Sequence, residues 1–149
     1  MEYNTSAKGP NIELKNRLET SANEANELLL KHDVVAMSKD ELTQILREYV
    51  RLRYLLDESD MQENDHFNYL GEVSLARGLG LSVDAVRKSE LDSKCEGTSS
   101  TMAKKILLII ALSRTLEIET DPERNADITT IDKLADYIYE ILHRRSGSE

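Results

Sequence analysis

Tryptophan is absent from the 149 residues, phenylalanine occurs once, and aromatic residues make up only 5% of the chain. A hydrophobic core must therefore be assembled from Leu, Ile, Val, Ala and Met. Proline occurs twice and glycine six times, too little punctuation for a fold of many short strands and favourable to long helices. Cys95 is the single cysteine, which excludes an internal disulfide and a cysteine-rich zinc site. The longest apolar run, Ile106 to Leu112, is far too short to cross a bilayer. The N-terminus shows no basic region followed by an apolar stretch, so no signal peptide is visible and a cytoplasmic location is expected.

What is present is ordinary for a globular protein: 40% hydrophobic and 32% charged residues. The charge is one-sided, with a formal net value of -9 and a pI near 4.9. Such a surface repels a phosphate backbone unless cations are segregated into a patch. It is better suited to basic patches on protein partners. A nucleic-acid or membrane partner is therefore not expected.

Residues 1–10 carry Asn, Thr, Ser, Gly and Pro and are expected to form a disordered lead-in. Residues 11–60 read as an extension of two helices. The first is mostly polar, with Leu14, Leu18, Ala22, Ala25, Leu28 and Leu29 as apolar positions. The second opens with a capping box at Ser38 and Glu41 and continues through Leu42, Ile45, Leu46, Tyr49 and Val50. The acidic segment 57–65 is expected to be a loop or hinge. Helical spacing returns from His66 to Arg77 and stops at Gly78 and Gly80. A single helical turn is expected over 82–88, then a polar loop to Ser100. An apolar helix follows from Met102 to Leu116, and a last helix from Thr130 through Ile131, Leu134, Ile138 and Leu142. A mobile tail is expected over 146–149.

Several segments between Leu79 and Ile138 resemble the acyl carrier protein family. Leu79-Gly80-Leu81 with Val86 is similar to the end of that family's first helix. Gly97 falls where the family keeps a glycine before its modified serine. Ile106, Leu108, Ile109, Leu112 and Leu116 repeat the buried positions of its second helix. Ile128-Thr129-Thr130-Ile131 and Asp136-Tyr137-Ile138 resemble its third and fourth helices. The resemblance spans roughly 67–145. It implies an all-α, acyl-carrier-protein-like four-helix bundle over 65–145, behind an N-terminal helical extension.

The resemblance also implies a role. The family is not enzymatic. It carries an acyl or related group as a thioester on 4'-phosphopantetheine, attached to a serine at the start of the second helix. Counting forward from Gly97 puts Ser99 at the family's aspartate and Ser100 at its modified serine, with Thr101 in place of leucine. Counting back from Leu116 puts Met102 at the serine. Ser100, then Ser99, are the candidate attachment residues, and a phosphopantetheinyl transferase and acyl-transfer or synthase enzymes are the implied partners. Lys104 and Lys105 stand where the family's helix is acidic, so docking would fall to Glu117, Glu119, Asp121 and Glu123. A carrier fold without the arm, acting as an interaction module, is an alternative.

The residues allow other readings. Ser99, Ser100 and Thr101 are also a natural cluster for capping a helix. Ala76, Gly80 and Val86 have helix-turn-helix spacing, which would aim Ser82, Val83, Asp84 and Arg87 at a DNA groove. Net charge and Asp84 oppose that. His32, His66 and His143 lie far apart and form no metal-ligand spacing. The N-terminal helices could support the fold or mediate self-association.

Overall fold

A computed structural model describes residues 2–93 and 99–147 of the chain. Cys95, Gly97 and the end of the expected tail lie outside the described residues. Among the described residues seven α-helices follow one another: α1 Glu2–Leu30, α2 Lys39–Tyr54, α3 Glu58–Glu63, α4 Phe67–Leu79, α5 Val83–Ser93, α6 Ser100–Leu116 and α7 Ile131–Gly147. Short 3-10 helices occupy Val34–Ala36 and Pro122–Asp127. Among the described residues the extended pairing is one isolated antiparallel bridge, His66 with Thr130. The protein is all-α, as its composition and spacing imply.

α2 forms where its capping box lies. The Glu41 N–H donates to Ser38 Oγ (3.2 Å) and the Ser38 N–H donates to Glu41 Oε1 (3.0 Å). Leu42, Leu46, Tyr49 and Val50 then fall on one buried face, the stripe that helical periodicity requires. That face packs between α1 and α7. α7 answers with Ile131, Leu134, Ala135, Ile138, Ile141 and Leu142. α4 packs against α6 and α5, and α1 also reaches α6.

Buried residues from Ala25 to Leu142 make one continuous core. The N-terminal helices over 11–60 pack into the same core as the later helices. Their apolar stripes supply Ala25, Leu29, Leu42 and Leu46 to the same interior as Leu112 and Ile138.

Four local expectations change. α1 already runs through residues 2–10, although Asn4, Thr5, Ser6 and Gly9 are weak helix formers and nothing in their residue types explains it. The acidic segment after Tyr54 contains a helix, α3, because Asp60 turns inward and accepts the Asp57 N–H at 2.8 Å. α5 extends to Ser93 rather than ending as one turn, since Val86 and Glu90, four residues apart, are both buried. α7 continues through Ser146 and Gly147.

The His66–Thr130 bridge fixes the starts of α4 and α7 together. The Phe67 N–H donates to the Thr129 carbonyl (2.9 Å) and the Ile131 N–H to the Asp65 carbonyl (3.1 Å). Each bond satisfies an N–H that has no partner within its own helix. α4 ends at Gly80, whose φ of 69° is the left-handed cap that glycine adopts without strain.

Candidate functional site at the start of α6

α6 begins at the serine cluster. Ser99 is its N-cap, and Ser99 Oγ accepts the Met102 N–H at 3.2 Å. Ser100 is the first helical residue and its side chain is exposed, whereas Thr101 is buried. Met102, the position reached by counting back from Leu116, is half-buried inside the first turn. Ser99 therefore works as a cap, and Ser100 is the serine presented to solvent.

A residue not singled out from the sequence completes the site. Glu90, on α5, is buried and brings its carboxylate to the helix N-terminus. Oε2 accepts the Ser100 N–H at 3.1 Å and Oε1 accepts the Thr101 N–H at 2.8 Å. Burial pushes the carboxyl pKa up, but the bonds from Thr101 and Ser100 outweigh it and hold the group below the usual glutamate range. The positive end of a helix favours an anion here. The signal was present in the sequence: Glu90 stands four residues after Val86, on the same face of α5.

This geometry bears on an arm at Ser100. The N–H groups that could cradle a phosphodiester are already occupied by Glu90, so the helix end does not serve as a phosphate pocket. Covalent attachment asks for an exposed hydroxyl; Ser100 is exposed, and its side chain also hydrogen-bonds to the Glu90 carboxylate. On these grounds the residues fit an arm held by its ester bond and projecting into solvent.

Lys104 and Lys105 do not form an exposed cationic first turn. Lys105 is buried, and its Nζ donates to the Ile128 carbonyl at 2.9 Å, tying α6 to the turn before α7. Burial lowers its pKa, with Asp127 opposing. Lys104 is half-buried, with its ammonium 4.9 Å from the Tyr54 ring centroid. Glu117, Glu119, Asp121 and Glu123 are exposed at the far end of α6 and beyond it.

The helix-turn-helix residues form α4 and α5, but Arg87 faces α4, where its Nη2 donates to Glu72 Oε1 at 2.9 Å. Among the described residues no group of His, Cys, Asp and Glu could hold a metal ion. No described helix is long and apolar enough to cross a membrane. Comparison with family models, curated proteins and solved structures returned no match.

Proposed function

We propose that this protein is an atypical acyl carrier that bears a 4'-phosphopantetheine arm on Ser100. The carrying observation is the exposed Ser100 at the first position of α6, with its capping needs met by Ser99 and by the buried Glu90. In the attachment step Ser100 Oγ forms a bond to the phosphorus of coenzyme A that carries the pantetheine. The bond to the adenosine bisphosphate breaks, and the serine proton passes to a base on the transferase. The arm's thiol then carries the cargo as a thioester, and the chemistry on it belongs to partner enzymes.

The exposed acids after α6 are the docking groups for basic partner surfaces. A second reading, a carrier-type fold without the arm that docks partners, is favoured by Leu107 and Ile110. These lie on one outer face of α6 and are 63% and 38% exposed, apolar area that a protein partner would cover.

The test is the intact mass after incubation with a broad-specificity phosphopantetheinyl transferase, magnesium and coenzyme A. One added arm is expected in the wild-type chain and in Ser99→Ala, and none in Ser100→Ala. No gain in any form rejects the arm and leaves the docking reading. A gain that persists in Ser100→Ala moves the attachment elsewhere.

A further inference from the structure

Lys104 lines a cavity of about 190 Å³ between α1, the end of α2, α4 and α6. Its apolar wall is made of Leu14, Leu18, Leu55, Leu75 and Leu79. Leu18 and Leu79 are largely exposed, so the mouth opens to solvent. Arg17, Arg77 and Lys104 also line it, and no carboxylate does among the described residues.

The three cations are not equivalent. Arg77 is neutralised by Asp60 and Asp57. Arg17 and Lys104 have no carboxylate partner among the described residues. Burial, and then the charge of Arg53, hold the Lys104 pKa below its usual value. A half-buried cation without a counter-ion is costly, and here it stands in a chain of net charge -9. A lining that combines five leucines with two unneutralised cations is complementary to a molecule with an apolar tail and an anionic head.

The geometry points to a binding site for a small amphiphilic monoanion: an alkyl chain of about six to eight carbons lying among the leucines, with a carboxylate between Arg17 and Lys104. The size follows from the volume. An apolar cavity of roughly 150 Å³ holds benzene, and a water-sized group fills about 30 Å³. Gly78 lines the same cavity, and a Cβ added there meets nothing within 4 Å. The site shares no residue with Ser99, Ser100 and Glu90, so it stands apart from the arm.

The test is a titration of the full chain followed by leucine methyl resonances, with hexanoate, octanoate, octan-1-ol and octylammonium as probes. Octanoate should move the cavity leucines and bind about fifteenfold tighter than hexanoate, about fourfold for each methylene. Octylammonium should not bind. Lys104→Met should weaken octanoate roughly tenfold and leave octanol unchanged. Gly78→Leu should fill the cavity and abolish binding, with thermal melting of the same samples confirming the fold. Ser100→Ala should bind like wild type, whatever the outcome of the arm test. The site is refuted if octanoate moves no cavity methyl, if octylammonium binds as well as octanoate, or if Gly78→Leu leaves affinity intact. It is equally refuted if an acidic helical peptide occupies the cavity while octanoate does not.

Discussion

Removing the Glu90 carboxylate should loosen the start of α6 by an amount that can be worked out. Two charge-assisted hydrogen bonds are lost, each worth about 1.5–3 kcal/mol. The Ser100 N–H is at the surface, so water replaces much of the first. The Thr101 N–H belongs to a buried residue, so the second is lost almost in full. Ser99 keeps the Met102 N–H, and that part of the cap survives. Glu90→Ala should therefore cost about 3 kcal/mol, or a fall of about 6–12 °C in Tm for a chain of this size. Glu90→Gln keeps one acceptor oxygen but loses the charge and should cost about 1.5 kcal/mol. The pH dependence has a definite sign. The folded-state pKa lies below the unfolded value, so the contribution is complete above the usual glutamate value of 4.5 and is lost as pH falls through the folded-state value. Urea unfolding of wild type and Glu90→Gln at pH 7 and pH 3 checks this. The gap between them should be full at pH 7 and shrink at pH 3. A gap below about 0.3 kcal/mol at pH 7, or one unchanged by acid, would refute the reasoning.

Gly71→Ala should destabilise by about 1–2 kcal/mol, because its Cβ would meet Thr101 Cβ and Cγ2 at 3.1 Å and Thr101 is held by Glu90. In urea unfolding the cost should be smaller on a Thr101→Ser background. Tyr54→Phe should be neutral or stabilising by about 1 kcal/mol, since the buried Tyr54 hydroxyl has no hydrogen-bond partner among the described residues. The urea midpoint reads this, and a clear loss would reveal a partner. Leu46→Ala, in the α2 stripe, should cost about 2–5 kcal/mol and shift one cooperative transition, seen equally by circular dichroism and tyrosine fluorescence. Separate transitions would argue against a shared core.

The helices were largely legible because their stripes and caps are local. Ser38 and Glu41, Gly80, and the spacing of α6 and α7 need no knowledge of distant residues. What escaped reading depends on partners far along the chain. Whether residues 57–65 turn inward depends on Arg77, which pairs with Asp60 from seventeen residues away. Lys105 looked like a surface cation, yet it occupies the stripe of Thr101, Leu108 and Leu112. Its burial is permitted by a carbonyl twenty-three residues downstream. Of the candidate site, the serine cluster was readable and the roles within it were not. The bond from the Met102 N–H to Ser99 Oγ separates the capping serine from the exposed one.

The shared core also gives the N-terminal helices a part in both proposed sites. α1 packs on α2 and on α6, and Thr115 Oγ1 donates to Asn26 Oδ1 at 3.2 Å. The helix that presents Ser100 is thus braced along its length by a segment outside the bundle the resemblance covers. That bracing closes one side of the leucine cavity and adds Arg17 to the lining that also holds Lys104. In a strongly acidic chain Arg17 and Lys104 form a local exception, since no carboxylate lines the cavity among the described residues. If the proposed site binds anions, they would be drawn to this end of the bundle and not to the acidic surface beyond α6 that is proposed to dock partners. If α1 served only self-association, its removal would leave α6 and the cavity intact. Its packing instead makes the site and the fold parts of one structure.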